Sequence, residues 1–93
     1  MISTINKVAP EKVYIAVSAA FMVDGTVLPR SFEWEDGNCY IIDRVVDMQH
    51  LSSLISGGKG IRYKVHIRNR ETYIFLEEKH SGEYRWYVLR RER

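Results

Sequence analysis

One cysteine, two prolines and three histidines are all that this chain offers of the residues that build crosslinks, kinks and transition-metal sites. Cys39 alone cannot form an intramolecular disulfide. Together with the scattered His50, His66 and His80 it makes no metal motif. Cys39 therefore reads as a small structural residue, not a nucleophile. Without a disulfide framework the chain suits a reducing cytoplasm. No window approaches the ~20 apolar residues that a membrane-spanning helix needs. Residues 1–10 have no charged segment ahead of a continuous apolar run, so no signal peptide is read there. There is no internal repeat and no low-complexity linker.

Catalytic signatures are missing too. The run Gly57-Gly58-Lys59-Gly60 lacks the spacing of a phosphate-binding loop. A strand pattern follows it where a helix N-terminus would be needed, so it reads as a flexible connector. Asp47, His50 and Ser52 are close in sequence, but no G-x-S-x-G elbow surrounds a serine. Glu33, Glu35, Asp36, Asp43 and Asp47 cluster without the oxygen-ligand spacing of a Ca²⁺ or Mg²⁺ loop, and read as a solvated acidic face. The expectation is a non-enzymatic protein with no cofactor and no metal.

What is present points to sheet. The 93 residues make one domain, 45% hydrophobic and 28% charged, within the range of ordinary globular proteins. Six Tyr, two Trp and many β-branched residues favour strands. Val13–Val23 alternates in twos and ends at Asp24-Gly25, a hairpin signal. Val27–Glu35 follows. Pro29 cannot donate to a ladder, so this strand is an edge or begins irregularly. Asp36-Gly37 marks a second hairpin. Cys39–Asp47 is a third strand whose register changes near Asp43-Arg44, which reads as a bulge. Residues 48–55 read as a short helix of a turn or two, or as an ordered loop. After the glycine run comes Ile61–Arg68, then a tight turn at Asn69-Arg70-Glu71. Thr72–Glu77 is apolar on both faces and hence central, and Tyr84–Arg90 is the last strand. The expected fold is all-β, a small antiparallel barrel or rolled sheet of about six strands with SH3-like or OB-like character. Its expected extent is 11–90, with a loose lead over 1–10 and a frayed tail over 91–93.

The sharpest functional feature is the alternation after the glycines. Ile61, Tyr63, Val65 and Ile67 share one face; Arg62, Lys64, His66 and Arg68 share the other. Charge is uneven along the chain: residues 1–58 hold four basic against seven acidic residues, residues 59–93 ten against five. That asymmetry suits an anionic partner for the basic half. It also suits basic and acidic strands pairing with each other, with Asp43 and Asp47, or Glu33 and Glu35, opposite the stripe. On the first reading Lys59, Arg62, Lys64, Arg68, Arg70 and Arg85 supply phosphate contacts, and Tyr73, Trp86 and Tyr87 are candidate platforms for bases.

Five stretches follow in order: Leu28–Gly37, Tyr40–Val45, Gly60–Val65, Glu71–Phe75 and Arg85–Val88. Their pattern resembles a family of small uncharacterised bacterial proteins, common in Gram-positive anaerobes. It is also similar to a small β domain of unknown function found with Y-family translesion polymerases. The resemblance covers about residues 12–90 and implies a cytoplasmic accessory domain linked to DNA repair. The expected partner is single-stranded nucleic acid or a DNA polymerase, with no membrane. The alternative is a protein–protein adaptor, monomeric or dimerising through a strand edge.

Overall fold

In the computed structural model, residues 10–52 and 59–90 are described. Residues 1–9 of the expected lead over 1–10, residues 53–55 of the expected helix or loop over 48–55, the glycines Gly57 and Gly58, and the tail over 91–93 lie outside the described residues. The described residues form seven strands: β1 (Glu11–Phe21), β2 (Val27–Glu33), β3 (Cys39–Ile41), β4 (Arg44–Leu51), β5 (Lys59–Ile67), β6 (Arg70–Glu78) and β7 (Tyr84–Arg90). All pair antiparallel in one curled half-barrel sheet, in the order β3-β2-β1-β7-β6-β5-β4. No helix occurs among the described residues.

Local chemistry sets the turns. Asp24-Gly25, Asp36-Gly37 and Ser81-Gly82 each end a three-residue hairpin loop with a left-handed glycine, at φ 92°, 86° and 90°. In each, the glycine N–H returns to the carbonyl three residues back, the pattern of a type I turn closed by a glycine bulge. Asp24 and Asp36 tighten their loops by accepting from the backbone N–H of Thr26 and Asn38 at 2.9 Å. The β5–β6 hairpin instead turns at Arg68-Asn69, both at positive φ (51° and 65°). The turn thus lies one to two residues earlier than the sequence suggested. Asn tolerates that backbone region; Arg does so at a cost.

Two further expectations change. The third strand is two strands, which raises the count to seven. Residues 48–51 are not helical, because β4 continues through Leu51 against Gly60. The irregularity expected near Asp43-Arg44 resolves into a corner and a bulge. Ile42 N–H donates to the Arg30 carbonyl, while the next residue, Asp43, donates to the His66 carbonyl, at 2.9 and 2.8 Å. Two consecutive residues thus hold the two edges of the curled sheet. The bulge follows at Val46, between the Val45↔Val65 and Asp47↔Lys64 pairs. Pro29 is buried inside the sheet, opposite Ala19 at a register shift. Its strand is irregular there, and because β3 pairs only with Ser31–Glu33, Pro29 lies on a stretch of β2 whose one paired strand among the described residues is β1.

The concave side holds the core. Ile42, Tyr63, Val65, Ile67, Ile74 and Leu76 are buried together, with Ile15, Leu28, Phe32, Tyr40 and Trp86 packed against them. Burying such side chains contributes roughly 1.5–3 kcal/mol each. Tyr63 lies at the centre, fully buried, its ring 5.6 Å from that of Trp86. Its hydroxyl donates to the Val27 carbonyl across the curl. Burial pushes the Tyr63 phenol up to about 12.

Candidate nucleic-acid interface

Because Tyr63, Val65 and Ile67 turn into the core, the strand period leaves Arg62, Lys64 and His66 on the outer face. The neighbouring β6 puts Tyr73 directly opposite Lys64. Tyr73 is 40% exposed. The Arg62 guanidinium lies 4.7 Å from its ring centroid and the Lys64 ammonium 6.0 Å. The stripe is only lightly neutralised. Arg62 Nη2 donates to the neutral amide of Gln49 at 2.6 Å. Among the described residues, the ion pair at Lys64 is with Glu71, at 4.0 Å and with both side chains partly exposed. Asp47 stands opposite Lys64 in register but makes no ion pair with it within 4.0 Å. The Glu33 and Glu35 pairing considered from the sequence does not form either; Glu35 binds Arg90 instead.

A second cation–aromatic couple occupies the same face. The Arg85 guanidinium lies 3.5 Å from the ring centroid of Tyr14, which is 37% exposed. Tyr14 sits on β1, two strands from Tyr73, about 10 Å laterally at ordinary strand spacing. Beneath the couples runs a buried layer. The rings of Phe75 and Tyr87 stack at 4.9 Å and 2°, and Tyr14 meets Tyr87 edge-on at 6.0 Å. The Glu77 carboxylate is also buried, accepting from Lys12 Nζ at 2.8 Å and from the Tyr14 hydroxyl at 2.9 Å. Desolvation alone would lower the Lys12 pKa; the Glu77 hydrogen bond and charge outweigh it, and the pKa is raised.

The other expected site residues are spread out. Arg68 leaves the stripe: its left-handed backbone carries the side chain over Tyr40, 5.2 Å from the ring, and its N–H donates to Asp43. Arg70 opens β6 beside the same turn and is exposed. Lys59 lies at the far end of the nine-residue β5, opposite Glu78. Two of the expected platforms fail: Tyr87 is 1% exposed, and Trp86 faces the core. Tyr14 was overlooked. Its signal was present, since it is the one aromatic on the β1 face that also carries Lys12, Ala16 and Ser18.

Two clefts open at the ends of the half-barrel. One, about 290 Å³, is lined by Phe32, Trp34, Tyr40 and Val88. Arg90 flanks it, clasping Glu11 and Glu35 at 2.9 and 2.6 Å. The other, about 450 Å³, lies between the end of β4 and the starts of β5 and β7. No group of three or more potential metal ligands gathers among the described residues, and no helix there is long and apolar enough to cross a membrane. No family model, no curated protein and no solved structure matches the chain.

Proposed function

We propose that this protein is a small β module that binds single-stranded nucleic acid on its outer sheet face, as an accessory to a nucleic-acid enzyme such as a repair polymerase. One observation carries the reading: an exposed tyrosine, Tyr73, flanked by two cations, of which Arg62 has no acidic partner among the described residues and Lys64 only the partly exposed Glu71 at 4.0 Å. Single strands are held by this combination, charge for the phosphates and an aromatic face for the bases. An arginine plane can itself stack on a base, so Arg62 over Tyr73 and Arg85 over Tyr14 form two stacking stations about 12 Å apart, two strands across and two residues along. Arg62, Lys64 and Arg85 are the central contacts. Lys59, Arg68 and Arg70 sit at the ends of the face and would touch a longer strand.

The test is fluorescence anisotropy with a labelled single-stranded oligonucleotide at low and moderate salt. Salt-sensitive binding that Arg62→Ala/Lys64→Ala/Tyr73→Ala abolishes is the expected result. Absence of binding at low salt would overturn it. In that case the edge of β4 that no described strand pairs, eight residues long with exposed Val46 and Met48, favours the adaptor reading, in which a partner strand adds to the sheet.

A further inference from the structure

The β1–β2 hairpin is the most exposed apolar feature of the described chain. Phe21 is 80% exposed, Met22 43% and Val23 fully so. Three consecutive large apolar side chains at a loop tip cost solubility and do nothing for the core of their own chain. The hairpin also overhangs the sheet. β1 pairs with β7 only from Glu11 to Ile15, and its remaining residues are held by β2 alone. The tip therefore projects past the start of β7.

The second cleft opens at that same end. Register brings Leu51, Gly60, Glu78 and Tyr84 together there. Leu51, Ile61, Leu76 and Tyr84 make it apolar, and Tyr84 is 61% exposed. Lys59 and His50 stand on its rim. Lys59 stands opposite Glu78, which also lines the cleft; the tip would bring it a second acid, an exposed Asp24 whose carboxyl is held below its ordinary pKa by the Thr26 N–H.

We propose that two copies of this chain form a two-fold dimer, each seating Phe21, Met22 and Val23 in its partner's cleft with Asp24 against Lys59. Tip and cleft share one end of the molecule, so the exchange is reciprocal and closes on itself. A tip and a cleft at opposite ends would build an open filament instead. Two seated tips would bury on the order of 1,600 Å², the size of a standard specific interface. Of the proposed nucleic-acid contacts Lys59 alone takes part, and Phe21, Met22 and Val23 touch none of them, so the tip variant separates the dimer from nucleic-acid binding.

Sedimentation velocity without oligonucleotide, from low micromolar to submillimolar protein, tests this. The expected result is a concentration-dependent rise to twice the chain mass. Phe21→Ser/Val23→Ser should remain monomeric, yet melt close to the wild type at concentrations too low for the wild type to dimerise, because these side chains are exposed in their own chain. Asp24→Lys and Lys59→Asp should each weaken the dimer about tenfold or more, and the double variant should recover most of that loss. A wild-type monomer across the whole range would overturn the proposal. So would a dimer that the tip variant leaves at wild-type affinity, or charge reversals that fail to compensate in variants shown by melting to be folded.

Discussion

Arg62 lies over the ring of Tyr73 across the β5–β6 pairing, 4.7 Å from the centroid, and its guanidinium is fixed from the other side by Gln49. The two residues divide the work of a single-strand site: one brings fixed charge, the other a flat apolar surface.

Their variants should therefore fail differently. Tyr73→Ala should weaken oligonucleotide binding roughly 5- to 150-fold, the range for losing one stacked base, and leave the salt slope unchanged. Arg62→Ala should lower the slope of log K against log salt by about one. Anisotropy titrations at four salt concentrations separate the two. Identical slopes for wild type and Arg62→Ala would exclude a phosphate contact there.

Gly60→Ala should destabilise the fold. A Cβ at Gly60 would collide with the Leu76 carbonyl oxygen, and two further backbone atoms stand 3.1 and 3.2 Å away. Backbone cannot rotate aside as a side chain can, so β5 and β6 must separate at the rim of the larger cleft. The expected loss is about 1–3 kcal/mol, read from the urea midpoint. An unchanged midpoint would mean that the two strands are further apart there than the structure places them.

Alkali should unfold the protein through its buried tyrosines. The folded Tyr63 phenol titrates near 12, against about 10 in the unfolded chain. The unfolded state loses its proton first, so this contribution is complete below pH 10 and disappears as pH rises through 12. By linkage it amounts to on the order of 2 kcal/mol. Tyr87 is also raised by burial, and Lys12 is raised as well, so both add to the same alkaline decline. Tyr63→Phe should cost about 1 kcal/mol at neutral pH, because the Val27 carbonyl loses a donor, yet show a shallower fall between pH 10 and 12. Chemical denaturation across that interval decides; an equally steep fall would place the titration elsewhere.

The Arg68-Asn69 turn can be improved without harming the face. Both residues hold positive φ, where Asn-Gly is preferred. Arg68→Asn/Asn69→Gly should raise stability by about 1 kcal/mol, by relieving the left-handed backbone cost at these positions. Because Arg68 stands over Tyr40, oligonucleotide affinity should fall far less than for Arg62→Ala. A loss equal to that of Arg62→Ala would return Arg68 to the centre of the site.

The all-β fold was legible because Tyr63, Val65 and Ile67 alternate strictly with charged residues, and because Asp24-Gly25 and Asp36-Gly37 fix two hairpins. β4 was harder to read. Its bulge at Val46 breaks the period, so Met48 to Leu51 carry no alternation against which to recognise a strand. The corner at Ile42-Asp43 depends on carbonyls of Arg30 and His66, and no local pattern encodes partners that distant. The same limit governed the platforms. Tyr73, Tyr87 and Trp86 are alike in sequence, and only the stacking of Phe75 on Tyr87 and the packing of Trp86 against Tyr63 separate exposed from buried. Arg68 was misplaced for a backbone reason, since strand alternation does not survive a turn of positive φ.

The pairing of β1 with β7 has a consequence for synthesis. Glu11 meets Arg90, so the edge of β1 that β7 covers has no neighbour until almost the whole described chain has been made. At ordinary translation rates that interval is on the order of ten seconds. During it the nascent chain presents an alternating apolar strand, ending in Phe21, Met22 and Val23, with an uncovered row of backbone donors and acceptors. β1 should therefore be a chaperone client until β7 covers it, and chaperone release should follow the pairing of Glu11 with Arg90.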